Sequence, residues 1–159
     1  MVFNSSGPFD RFWGKKIRYT EKRMNTSAGY CEIEHTADWE LQVWGPDLPS
    51  LLEQAARGMV ALSQARLENG TEVVREFEIP YIDAESLIVD FLSELLYYAE
   101  SEALAFDGYQ IQVEEATCKC RVSGAPIKEQ AKEIKAVTFH QLKVRETDRG
   151  IEVNIVFDV

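Results

Sequence analysis

Two aspartates stand near opposite ends of a regular pattern, and their neighbours give them chemistry to do. Asp38 ends a short polar wedge, His35-Thr36-Ala37-Asp38, which interrupts the strand-like segment "EIEHTADWELQVWG" at residues 32–45. Asp158 is penultimate in "NIVFDV", so its side-chain carboxylate lies one residue from the α-carboxylate of Val159. First and last strands of a domain commonly pair, because termini often lie close together. Such a pairing would gather Asp38, Asp158 and the Val159 carboxylate in one place. Two unit charges about 4 Å apart repel by about 4 kcal/mol at an effective dielectric near 20. Gathered carboxylates therefore take up protons or hold a cation. A hard divalent ion with oxygen ligands, Ca²⁺ or Mg²⁺, answers that need. The residues alone leave a plainer reading open, in which Asp38 caps a turn and Asp158 is a solvated terminal residue.

Other candidates are sparse. His35 and His140 are the only histidines, which excludes a three-histidine zinc site. His35 beside Asp38 is either an acid–base pair or a histidine that orients the wedge by hydrogen bonding. Lys135 opens the strand-like "KAVTFH" and is either a solvated edge charge or a counter-charge to the acidic cluster. Cys118-x-Cys120 lacks the two-residue gap of a zinc knuckle, and the expectation is one thiol pointing inward and the other outward. Trp39 and Trp44 flank the same segment, and at least one of them is expected to be buried. There is no glycine-rich phosphate loop and no G-x-S-x-G elbow.

The elements that must position these residues follow from length, charge and periodicity. The chain of 159 residues is 45% apolar and 28% charged, which suits one domain with an ordinary core. No apolar run approaches the roughly 18 residues needed to span a bilayer, and no signal-peptide h-region is present. Three cysteines without a framework pattern point to a reducing cytoplasm. Residues 1–28 hold six Lys and Arg against Asp10 and Glu21, a net charge of +4 in a chain whose total is −10. The acidic remainder repels a phosphate backbone, which argues against direct nucleic-acid binding and for a metal ion or a basic protein surface as partner. The basic extension 1–28 shows no sustained periodicity and is expected to be disordered, or a non-native leader ahead of Met24, rather than a short ordered extension using Phe9, Phe12 and Trp13. Residues 29–159 form the domain.

Within it, 30–35 and 39–44 read as strands. Leu48, Leu51, Leu52, Ala55, Ala56, Met59, Val60 and Leu62 recur at helical spacing behind a cap at Asp47 or Ser50, and Gly58 inside that helix marks close packing. Residues 71–79 alternate as a strand. Asp83 caps a second helix reaching about Glu102, whose stripe Leu87, Ile88, Phe91, Leu92, Leu95 and Leu96 is wide enough for burial between two layers. "YQIQVEEATCKCRVSG", "IKAVTFHQLKVRET" and "IEVNIVFDV" read as alternating strands, with "DRG" a turn before the last. Strands outnumber helices without one-to-one interleaving, so the class is α+β.

"EHTADWELQVWG", "DAESLIVDFLSELLYYAE", "IKAVTFHQLKV" and "IVFDV", in this order, resemble the archease family over about residues 30–159. The resemblance implies a three-layer β/α/β sandwich with two main helices between two sheets. It implies a non-enzymatic accessory role, in which the protein promotes guanylylation and turnover of an RtcB-type RNA ligase in tRNA splicing or RNA repair. It also implies a metal site at Asp38, Asp158 and Val159, with Lys135 a further functional position; His35, beside Asp38 in the wedge, is the other partner or functional candidate. The cofactor so implied is a divalent ion, Ca²⁺ ahead of Mg²⁺ or Mn²⁺. Phe139 departs from the tyrosine common in the family, and residues 1–28 fall outside the likeness. Two readings from other classes are a stand-alone metal-dependent hydrolase using Asp38, His35 and Asp158, and a chaperone-like binding module.

Overall fold

A computed structural model describes residues 17–19, 28–34 and 38–159. Chain order runs through strands β1 (Ile17–Tyr19), β2 (Gly29–Ile33) and β3 (Trp39–Gly45), helix α1 (Leu48–Ser63), and strands β4 (Arg66–Leu67) and β5 (Val73–Pro80). Helix α2 (Ala84–Glu102) follows, then β6 (Leu104–Glu114), β7 (Thr117–Glu129), β8 (Ala136–Thr138), β9 (Arg145–Thr147) and β10 (Gly150–Asp158). The first sheet has the order β1-β2-β3-β10-β8, with β9 also paired to β10. In the second, β7 carries β4 and β5 along one side and β6 along the other. Every pairing is antiparallel. Both helices lie between the sheets: α1 touches β2, β3 and β10 on one side and β6 on the other, while α2 touches β8 and also β5, β6 and β7. The class is α+β, as the patterning indicated.

The helices start where the sequence signals them. Asp47 is the N-cap of α1, accepting from the Ser50 N–H at 2.9 Å, with Pro49 in the first turn. Asp83 caps α2 in the same way, accepting from the Ser86 N–H at 2.7 Å. Each helix stops on a left-handed residue, Gln64 at φ 54° and Ala103 at φ 53°. Leu51, Leu52, Ala55 and Ala56 of α1 and Leu87, Ile88, Phe91 and Leu92 of α2 are fully buried, and each large side chain contributes about 1.5–3 kcal/mol. Gly58 is where α1 presses hardest on the sheet. A Cβ there would lie 2.7 Å from Leu41 Cδ1 and 3.1 Å from the Tyr30 ring. Gly150, at φ +99°, makes the tight turn from β9 into β10.

Four expectations need correction. "IKAVTFHQLKVRET" is not one strand: β8 and β9 are three residues each, separated by a turn through Gln141 at φ 53°. The strand expected from Tyr109 begins at Leu104, where Leu104, Ala105 and Phe106 are all buried before a register shift between Phe106 and Gly108 restores alternation. β7 runs on through "GAPIKE", and its end receives β4, too short to show a period. Cys118 and Cys120 both point inward, their sulfurs 3.6 Å apart. Residues i and i+2 of a strand share a face, so opposite orientations are excluded. Neither of them, nor Cys31, is in a disulfide among the described residues.

Of the basic extension, the structure describes Ile17–Tyr19, which pairs with β2 at the sheet edge, and Ala28, which is buried; the rest lies outside the described residues. No described helix is long and apolar enough to cross a membrane.

Candidate functional site

The wedge is the connection of a hairpin. β2 ends at Ile33 and β3 begins at Trp39, with Ile33 opposite Glu40. Asp38 is the bend residue from which β3 departs. The strand after the wedge lies against β10, with Glu40 opposite Val156 and Trp39 opposite Phe157. The ladder ends there, and the next residues along the two chains, Asp38 and Asp158, lie at the same end of the sheet. On the other side of β10, Asp158 pairs with Ala136 of β8. The Lys135 N–H donates to the Asp158 carbonyl oxygen at 2.8 Å. Asp38, Asp158 and Lys135 therefore share one rim of the first sheet, and all three are exposed there. Val159, immediately beyond β10, is 36% exposed. His35 lies outside the described residues.

The rim is held from beneath. Phe157, between Val156 and Asp158, is fully buried in the core with Ile155 and Val153. Trp39 packs against the same core and carries Lys132 Nζ 3.9 Å from its ring centroid. The Lys132 N–H donates to the Ser63 carbonyl at 3.1 Å, tying the segment before β8 to the end of α1. Lys132 was not singled out in the sequence, because its stretch carries no periodicity to mark it. Trp44, at the far end of β3, is buried, as expected for at least one of the two tryptophans.

The donor set is all oxygen, which fits a hard divalent cation rather than a soft one. It is also short. Among the described residues no three His, Cys, Asp or Glu side chains stand close enough to hold a metal. Ca²⁺ takes six to eight oxygen ligands, more than the acids at this rim supply. A mainly apolar cleft beside α1, α2 and β6 does not compete for this role. It is lined by Met59, Leu95, Leu104, Tyr109, Ile127 and Ile134 among others, and no acid or histidine borders it.

Comparison with known proteins agrees with this architecture. The Archease protein family matches residues 30–159. The chain belongs to the archease family. Protein archease of Methanosarcina mazei is 34% identical over 143 residues, covering 82% of this chain and 95% of that protein. Among solved structures, the 2.0 Å crystal structure of an archease from Thermotoga maritima, described as a possible chaperone, has a TM-score of 0.62 at 26% identity. That likeness covers 80% of this chain and 94% of the other. A Methanobacterium thermoautotrophicum protein solved in solution has a TM-score of 0.64 at 26% identity, covering 82% and 99%. The archease match begins at Tyr30, so the basic extension, residues 1–28, stands outside it.

Proposed function

We propose that this archease-family chain is an accessory protein of an RtcB-type RNA ligase in the cytoplasm, promoting the ligase's guanylylation and turnover. A divalent ion, Ca²⁺ ahead of Mg²⁺ or Mn²⁺, is held by Asp38, Asp158 and Val159. The observation that supports the reading is the β3–β10 register, which ends on Trp39 opposite Phe157 and so brings Asp38 and Asp158 to one exposed end of the sheet, where the Lys135 backbone N–H donates to the Asp158 carbonyl. The ion supplies Lewis-acid charge at the tip of an acidic body. Asp38 and Asp158 furnish the anionic oxygens, and buried Phe157 fixes where Asp158 points. Lys135 places a positive group beside them. An acidic tip of this kind steers toward a basic, metal-containing mouth on a partner. The incomplete ligand shell suits a contact in which the partner's oxygens finish the coordination.

The test is single-turnover guanylylation of a cognate ligase with and without this protein. Stimulation by the wild type, and its loss in Asp38→Ala and Asp158→Ala variants of unchanged circular dichroism, is the expected result. Full stimulation by both variants overturns the reading. Phosphoester turnover by the protein alone with Mg²⁺ or Mn²⁺ would favour the hydrolase instead.

A further inference from the structure

The first sheet is buried on both faces, although both helices lie on one. Gly58 of α1 faces Leu41 and Tyr30, which fixes the helix side. Leu41, Val43, Val153, Ile155 and Phe157 belong to the core on that side. Strand alternation sends their neighbours the other way. The register aligns those neighbours as Cys31 with Gln42, Ile33 with Glu40, Trp44 with Glu152, and Glu40 with Val156. An outer face open to water would leave them exposed. Instead Cys31 is 0%, Ile33 2%, Trp44 5%, Val156 7%, Glu40 4% and Glu152 0% exposed. None of the four apolar ones belongs to the main core cluster.

Described residues account for only part of this cover. Arg149 lies over the Trp44 ring at 4.0 Å and pairs with Glu152 Oε1. Asn154 donates to Glu40 at 2.8 Å. The second Glu152 oxygen is buried with no hydrogen-bond partner among the described residues. No described helix or strand stacks on this face.

We infer that the outer face of the first sheet is a docking surface for the chain's own N-terminal segment, residues 1–16. Its chemistry matches the face: "MVFNSSGPFDRFWGKK" carries Phe3, Phe9, Phe12 and Trp13 for the apolar positions. It also carries Arg11, Lys15 and Lys16 against one acid, facing a sheet with two buried glutamates. Its point of departure is right. β1 places Ile17 opposite Ile33, at the end of β2 that leads to Asp38. Its length suffices, since sixteen extended residues reach about 50 Å. The three strand spacings from β1 to β10 span only about 14 Å. Asp38 and Asp158 alternate onto this same face, so the docked segment borders the carboxylate rim.

Cys31 reports the cover, because the other two thiols face the core between the sheets. The experiment measures N-ethylmaleimide labelling at each cysteine by peptide mapping. It compares the full chain, a chain lacking residues 1–16, and a full-length Phe12→Glu/Trp13→Glu variant. Cys31 is expected to label roughly tenfold faster or more in both variants, with Cys118 and Cys120 unchanged. If the truncation unfolds the domain, Cys118 and Cys120 label as well, and the full-length variant decides. Equal Cys31 protection in the full chain and that variant overturns the inference. Protection in the full chain that falls away on dilution would assign the face to a second copy and overturn it equally.

Discussion

Neutralising one of the two rim carboxylates is expected to stabilise the metal-free protein. The β3–β10 register ends on the Trp39–Phe157 pair, and the next residue on each chain is Asp38 and Asp158, both exposed. On the proposed side-by-side placement, with carboxylates about 5 Å apart, Coulomb's law gives about 0.8 kcal/mol of repulsion in bulk water and about 3 kcal/mol at an effective dielectric of 20. Exposure places the pair near the lower figure. Their separation is shorter than the roughly 8 Å Debye length at physiological salt, so screening leaves part of the repulsion in force. Asp158→Asn in a chelator should therefore raise stability by about 0.5–1 kcal/mol, which for a domain of this size is about 2–4 °C in Tm per kcal/mol. Asp38→Asn should do the same, and the double variant should gain little beyond either single one, because the repulsion is removed once. Millimolar Ca²⁺ should invert the order, stabilising the wild type by about 2.7 kcal/mol at one hundred times its Kd and the variants less. The measurement is thermal melting of the four proteins in EDTA and in Ca²⁺, at low and at 0.5 M NaCl. Single variants that melt below the wild type in EDTA, or whose gains add fully, would refute the side-by-side placement.

Two further outcomes follow from the packing. Gly58→Ala gains about 1 kcal/mol of helix propensity. It also forces a methyl group against Leu41 and the Tyr30 ring, for which overpacking costs about 1–3 kcal/mol; urea denaturation should show a net loss of about 1 kcal/mol, and a gain would mean that the helix–sheet gap is slack. Tyr109 donates its hydroxyl to the Phe106 carbonyl at 2.6 Å. Burial pushes its phenol upward, against a smaller opposing pull from Arg57. A pKa raised on folding gives stability that is complete below the unfolded value near 10 and is lost as pH climbs from there toward the folded one. Denaturation between pH 8 and 11.5 should show that alkaline loss shrinking in Tyr109→Phe, which at pH 7 loses about 1 kcal/mol for the hydrogen bond.

The parts of the fold that announced themselves in sequence are those governed by local rules. Asp47 and Asp83 are caps because a side-chain oxygen meets an N–H three residues on. The stripe from Leu87 to Leu95 is wide because α2 touches both sheets. What stayed hidden depends on partners distant in sequence. Arg66–Leu67 is a strand only because the end of β7 is there to receive it. Leu104, Ala105 and Phe106 break alternation because the shift near Gly108 lets consecutive residues be buried. At the rim, Asp38 and Asp158 were each visible as acids at special positions. Their adjacency required the strand after the wedge, rather than the one before it, to lie against β10. The closure of the outer face left no mark at all, since Cys31, Gln42, Glu40 and Asn154 read as an ordinary solvent-facing row.

β10 occupies the middle of its sheet while coming last of the ten described strands, between β3 on one side and β8 and β9 on the other. During synthesis the β2–β3 hairpin must therefore wait with an unsatisfied edge while more than a hundred residues emerge, a delay that slows folding and invites edge-to-edge association. The same delay puts the acidic rim together late: Asp158 reaches the end of the sheet that Asp38 occupies only when β10 has taken its place against β3.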